Sequence, residues 1–282
     1  MNNPLQSYFR QPAIYVTLPS KGRWYPPGTV TMNEQHEVGI MPMTAKDELT
    51  IKTPDALMNG QATVDVIKSC VPDIKDPWLM PSVDTDSVLL GIRLATYGDQ
   101  MEITSSVPNT SETQTVNVNL TAVLDQIGPV NWQNELLLSN GLKIHVRPLD
   151  YRHITKNLMK TYEEQRLIRT VNDSQMDEGE KLEKFQSIFS KLSTLNIDSM
   201  VTMIEKIVLD DGKEVTDRMH IKEFVYNMDS SIAKKITQYT NTMAQVGTAP
   251  PVTIQTTPEH QEKGADKSYQ VKISFDNSNF FA

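Results

Sequence analysis

The stretch IYVTLPSKGRWYPPGTVTMNEQHEVGIMPMTAKDEL, residues 14–49, joins an apolar strand, a Pro/Gly turn, two adjacent aromatics, a second strand and a helix start. Ile14, Val16 and Leu18 alternate with the two-residue period of a half-buried strand, and Pro19 and Gly22 break it with turn chemistry. Trp24 and Tyr25 follow at once. Aromatics just beyond a tight turn carry large apolar area, so this pair either closes the core beneath the turn or anchors another protein chain. Thr29–Met32 and Glu37–Met43 read as two further short strands around the polar tip NEQHE, with His36 a surface residue.

Thr44 is placed to cap a helix over AKDELTI, since its hydroxyl can accept a first-turn amide hydrogen and Asp47 lies three residues on. Thr53-Pro54-Asp55 predicts a second helix start, ended by Gly60. From Ala62 to Val71 the positions Ala62, Val66 and Cys70, flanked by Val64, Ile67 and Val71, give a broad apolar stripe that Pro72 stops. The next helix, capped by Ser82 or Asp84 and leaving through Gly98, is apolar on nearly every side. Such a helix is buried between layers, and its Arg93 must reach solvent or a carboxylate.

Beyond it, Met101–Ser105 and Thr113–Leu120 alternate as an antiparallel hairpin, and Leu120–Gly128 reads as a short helix. Asn140-Gly141 between apolar runs in ELLLSNGLKIHVRPL is a hairpin signal, with His145 half-buried in a strand. From Tyr151 the chain turns helical: Ile154, Leu158 and Tyr162 form one stripe and Leu182, Phe185, Phe189, Leu192 and Leu195 another, across a polar break that reads as the loop of an antiparallel helix pair. Ile197, Met200, Val201 and Ile204 suggest a third helix, Asp211-Gly212 a hairpin, and Asp229 the cap of a last helix with Ile232, Ile236, Tyr239 and Met243 on one face. After the linker GTAPP, PVTIQTT pairs with SYQVKISF. Phe280 and Phe281 trail it. Burying each is worth about 1.5–3 kcal/mol, so the pair should dock in the core or on a partner. The expectation is an α+β protein: an arm (1–13), an α+β domain (14–150), a helical region (151–247) and a C-terminal hairpin with its tail (248–282), folded back beside the first hairpin.

The runs LPSKGRWYPPG, IMPMTAKDEL, TPDALMNGQATVDVIKSCV and DTDSVLLGIRLATYGDQMEI, in this order and spacing, resemble the baseplate hub subunit family of T-even-type contractile-tailed bacteriophages. The resemblance covers about residues 14 to 103, with looser echoes in VTDRMHIKEFVYNMD and the closing SFDNSNFF. It implies a non-enzymatic protein that contacts other baseplate and tail proteins, in the host cytoplasm during assembly and in the virion tail if retained. The alternative it leaves open is a transient hub assembly chaperone absent from the mature particle. Partner contacts are expected at Trp24, Tyr25, Phe280 and Phe281, and homo-oligomerisation stays open. Relatives in that family often carry Cys-Pro-x-Cys at the hairpin and a second cysteine pair near the C-terminal one, a pattern of a tetrahedral zinc site. Here Val107-Pro108-Asn109-Thr110 and Thr257-Pro258-Glu259-His260 stand instead. With Cys70 and His260 the soft ligands left, no structural metal is expected, and the hairpin tips should be held by local packing or left mobile.

The 282 residues suffice for one large or two modest cores, and a mean hydropathy of −0.40 with 38 % hydrophobic residues suits a folded chain. The single cysteine, Cys70, fits a buried thiol in a reducing compartment. A net charge of −8 argues against nucleic acid as partner. The basic run from Arg152 to Arg169 is diluted by Glu163 and Glu164, and reads as a solvated face or a dock for an acidic partner. The opening MNNPLQSYFRQP lacks the apolar segment of a signal peptide, and no run approaches a membrane span. No H-E-x-x-H, G-x-S-x-G, Walker loop or G-x-G-x-x-G is present, so neither catalytic residues nor a cofactor are expected.

Overall fold

Ile14–Thr17 (β1) and Glu37–Ile40 (β2) pair antiparallel in the computed structural model, Ile14 opposite Ile40 and Val16 opposite Val38, and turn Val16, Val38 and Ile40 into the core. The structure describes residues 5, 8–52, 60–128, 132–172, 176–275, 280 and 281. Val30 makes only an isolated bridge, to Ile74, so the strand expected over 29–32 does not form: the Pro/Gly-rich turn leads into it too irregularly for a ladder. Ala45–Ile51 (α1) starts at Thr44 with a reciprocal capping box to Asp47. The helix start expected at 53–55 lies outside the described residues. Gln61–Cys70 (α2) buries Ala62, Val66, Ile67 and Cys70.

Ser82–Tyr97 (α3) is the centre of this unit, as its all-round apolar surface predicts, with Val83, Val88, Leu89, Leu90 and Ile92 buried. It crosses the first hairpin at Gly91, where a Cβ would stand 2.3 Å from Ile40 Cδ1 and 2.9 Å from Val16 Cγ2. Helix and strands come that close only because the residue has no side chain. Neither Ser82 nor Asp84 caps the helix; Pro81 precedes it, and Asp84 is drawn inward for another use. Gln100–Ser106 (β3) and Thr113–Asn119 (β4) form the second hairpin, and Leu120–Ile127 (α4) follows.

Glu135–Leu137 (β5), Lys143–Val146 (β6), Ile204–Val208 (β7) and Glu214–Val215 (β8) make an antiparallel sheet in that order. Between β6 and β7 run Tyr151–Asn172 (α5) and Glu178–Met203 (α6). The third helix expected after Leu195 is the continuation of α6, which carries no glycine or proline between Leu195 and β7 to stop it. Arg218–Asn227 (α7) and Ser230–Ala244 (α8) pack their Ile221, Val225, Ile236 and Met243 inward, each helix capped by an aspartate, Asp217 and Asp229. Val252–Gln255 (β9) and Ser268–Val271 (β10) form the last hairpin, with Pro258–Glu262 (α9) in its loop.

Contacts divide the chain into two units, residues 1–130 with 247–282 and residues 131–246. The expected boundary at 150 therefore moves to 130, because β6 bonds to β7 beyond both long helices (His145 opposite Lys206), and a ladder cannot be split between domains. The C-terminal hairpin joins the first unit through the linker: Gly247 sits at φ +79°, and a Cβ there would lie 2.4 Å from the Val83 carbonyl oxygen. Gly247→Ala meets both a left-handed backbone and an immovable main-chain atom. It should lower stability by about 2 kcal/mol or more, read as a fall in melting temperature of several degrees.

Candidate partner-binding surfaces

Four polar side chains of α3 hold four other segments of the first unit. Asp84, fully buried, accepts from Ser20 N (2.7 Å) and from Ser20 Oγ (2.6 Å). Asp86 accepts from Ala249 N at 2.7 Å. Thr96 Oγ1 accepts from Met43 N at 3.0 Å. Arg93 Nη1 donates to the Phe280 carbonyl at 2.7 Å, and Tyr97 adds a bond from its hydroxyl to the Phe281 carbonyl at 3.1 Å.

The Asp84 clamp shapes the aromatic turn. Lys21 N donates to Leu18 O, Arg23 N to Ser20 O and Gly22 N to Ser20 Oγ, so Ser20 is the hub of the turn and Asp84 fixes Ser20. Lys21 and Trp24 take positive φ, 52° and 71°. For a bulky residue such as Trp24 this is an uncommon conformation that surrounding structure must enforce. Its indole is half-exposed, with the Arg23 guanidinium 4.7 Å above the ring. Tyr25 turns the other way: its hydroxyl is buried and faces Asp84 without hydrogen-bond geometry. Burial and the Asp84 charge push the Tyr25 hydroxyl well above the usual tyrosine range, and burial raises Asp84 to about 6 against the opposing bonds from Ser20. Both residues are half-buried, but the Tyr25 hydroxyl ends inside the fold beside Asp84 while the Trp24 ring lies under the exposed Arg23.

Phe280 and Phe281 are both fully buried in their own unit. Their rings meet edge to face at 4.8 Å, the Phe275 ring packs tilted against Phe280 at 4.8 Å, and the Arg93 guanidinium lies over the Phe280 ring. Of the two alternatives for this pair, the structure places it in the core, where apolar area and two carbonyl acceptors are both matched; it offers no free contact surface. Among the described residues Arg93 is buried and meets no carboxylate; it donates instead to a main-chain carbonyl.

At the other end, Arg10 fastens the arm. Its guanidinium donates to Pro42 O, to Ser69 O (2.8 Å) and Ser69 Oγ (2.6 Å), and to Asp47 at 3.2 Å. Asp47 is held below the usual carboxylate range: burial opposes this, and the bonds from Thr44 and Ser69 with the Arg10 charge outweigh it. Cys70 is a buried free thiol, raised to about 11 by burial. Leu5, Tyr8 and Phe9, ahead of this fastening, are exposed.

The two hairpin tips meet each other. Ser105 Oγ and Tyr269 OH lie 2.9 Å apart, Gln114 Nε2 donates to Gln255 O at 3.0 Å, and Glu112 pairs with Lys263 and, at 3.5 Å, with His260. The last hairpin thus folds back on β3 and β4, and the tips are held by cross-hairpin pairs rather than by local packing alone. One carboxylate and one imidazole there do not make a four-ligand zinc site, and among the described residues no group of three or more metal-ligating side chains assembles. A depression of about 760 Å³ along α8 is lined, among the described residues, by Ser230, Lys234, Thr237, Gln238 and neighbours on that helix and its C-cap, with no carboxylate, imidazole or thiol among them. Among the described residues, no helix is long and apolar enough to cross a membrane.

Such a molecule is an α+β protein that uses its buried polar groups to fasten its own segments and presents an aromatic turn. Residues 12–266 match the model of the T4 bacteriophage base plate protein family, and the chain belongs to that family. Membership implies contact with other phage baseplate proteins and a place in the tail baseplate. No curated protein and no solved structure gives a significant match.

Proposed function

We propose that the protein is a baseplate hub component that acts through protein–protein contacts, without catalysis, in assembly of the phage tail, and that the turn at Trp24 is one of its contact surfaces. The observation that carries the contact assignment is the half-exposed indole held at positive φ by a turn that a buried carboxylate fixes. Strain of this kind is kept where the surrounding structure enforces it, and it is commonest at functional positions. The hub assignment rests on the runs LPSKGRWYPPG and DTDSVLLGIRLATYGDQMEI, which include the turn and the helix that clamps it.

Trp24→Ala tests the surface. It removes an aromatic of the kind that dominates interface energetics while keeping the Cβ and so the backbone conformation, so the melting temperature should stay within a few degrees of wild type while recovery of baseplate proteins from phage-infected cells falls at least tenfold. Unchanged recovery would remove Trp24 from the interface. The same pull-down, compared with mass spectrometry of purified mature tails, separates a retained hub subunit from a transient assembly factor: the protein is present in the tails in the first case and absent in the second.

A further inference from the structure

The first hairpin is closed along one edge and open along the other. Leu18 N donates to His36 O at 3.1 Å, and this bond fixes the parity of the ladder: Ile14, Val16 and Leu18 turn their main-chain groups toward β2, and Tyr15 and Thr17 turn theirs away. On the far side of β2 the outward amides are occupied. Glu37 N donates to Asn33 Oδ1 at 2.9 Å, Gly39 N to Asp73 Oδ2 at 3.2 Å and Met41 N to Cys70 O at 2.8 Å. On β1, no described residue bonds the outward N–H or C=O of Tyr15 or Thr17. The Tyr15 side chain, 61 % exposed, does not shield them either. It leans toward β2: a Cβ at Gly39 would stand 3.4 Å from the Tyr15 ring and 3.2 Å from Pro12 Cγ, so ring and arm both lie across the hairpin rather than along its edge. Ala13 and Thr17 are exposed, and Ile14 is only half-buried.

We propose that an extended segment of another baseplate protein joins this edge as an added strand; the proposal rests on the partner-binding reading above and names the kind of segment the partner brings. The unpaired groups recur with the strand period and set two donors and two acceptors in one line, a pattern that main chain in the β conformation matches. Edges that stay unpaired are ordinarily blunted by charged side chains. Here no charged residue stands between Arg10 and Lys21, and Arg10 is engaged with Asp47 and Ser69. Pro12 and Pro19 bracket the seat, so it takes about five residues at roughly 3.3 Å each. The side chains that such a strand turns inward come beside Ile14 and Val16, so they are aliphatic, and they complete the burial of Ile14. Since β1 leads directly into the Trp24 turn, one partner chain meets both.

Amide hydrogen exchange of the wild-type chain tests this, alone and in the complex that a tagged copy brings from phage-infected cells. In the isolated chain Val16 and Leu18 should be protected and Tyr15 and Thr17 should exchange like an open loop; in the complex Tyr15 and Thr17 should slow by about 100-fold or more. Unchanged exchange at both, in a complex that contains baseplate proteins, overturns the proposal. Recovery of no baseplate protein overturns the partner-binding reading and the added strand with it. Thr17→Pro removes an outward N–H that no described residue uses, so it should melt within a few degrees of wild type and lower recovery of baseplate proteins by roughly tenfold or more. Thr17→Ala keeps the amide and should retain recovery. Full recovery with Thr17→Pro, or loss with both variants, overturns recognition through the main chain. A dimer of the isolated chain in sedimentation equilibrium that Thr17→Pro dissolves gives the edge to a second copy and overturns the assignment to a partner. Slowed Tyr15 and Thr17 amides with full recovery of Trp24→Ala keep the edge and remove the turn; the reverse pattern keeps the turn and removes the edge.

Discussion

Phe280→Ala should lower the stability of the first unit by about 3–5 kcal/mol, the cost typical of truncating a fully buried phenylalanine. Three losses combine: the ring's apolar area, its packing against Phe275 and Phe281, and the surface over which the Arg93 guanidinium lies. For a unit of this size each kcal/mol moves the melting temperature by about 2–4 °C, so a drop of about 6–20 °C is expected in a thermal melt. Removal of residues 280–282 should cost at least as much, because it also strips Arg93 and Tyr97 of their carbonyl acceptors and leaves a buried cation without its partner. A tail-deleted protein that melts with the wild type would show that the two phenylalanines do not belong to the core.

The second large effect is a pH dependence at Asp84. The groups that face this carboxyl are the Ser20 amide and hydroxyl and the Tyr25 hydroxyl, none of them cationic. Burial therefore dominates and sets its folded value at about 6, above the ordinary 3.8. A folded value raised in this way adds stability that is fully present below the unfolded value and is lost as pH rises through about 6. Two pKa units correspond to about 3 kcal/mol, so wild type should weaken by up to that amount, relative to Asp84→Asn, between pH 4 and pH 7. Denaturant titrations of both proteins across that range measure the difference directly. A gap that does not change with pH would mean that Asp84 is ionised throughout. Asp47 works in the opposite sense: its value is depressed, so the stability it adds is present above about pH 4 and is lost as acid protonates it.

Much of both units was legible because the signals are local. The Thr44–Asp47 box, the Pro72 stop, the Gly98 exit and the Asn140-Gly141 and Asp211-Gly212 turns each depend on a few neighbouring residues, and each appears where the pattern puts it. The roles of Asp84 and Arg93 were not legible. Their partners, Ser20 and Phe280, lie 64 and 187 residues away, and spacing along the chain carries no record of a contact that folding creates. The stripe Ile154, Leu158, Tyr162 misled for a different reason. Residues at i and i+4 do share a face, but the seam of α5 follows Asn157, Glu164 and Val171, where hydrogen bonding and an ion pair compensate for polar side chains. Hydrophobicity alone then points roughly a third of a turn away from the seam.

The sequence by itself determined the α+β class, the Thr44 and Asp229 caps, the Asn-Gly and Asp-Gly turns, the buried Cys70 thiol and the lack of a cysteine set for zinc, since composition and short-range geometry are sufficient for each. Only the tertiary structure decided that the Tyr25 hydroxyl is buried beside Asp84, that Phe280 and Phe281 lie in the core, that residues 131–150 belong with the second unit, and that the two hairpins meet through Glu112, His260 and Lys263. Each of these depends on strand pairing or on the desolvation of a particular side chain. Both are properties of segments brought together by folding.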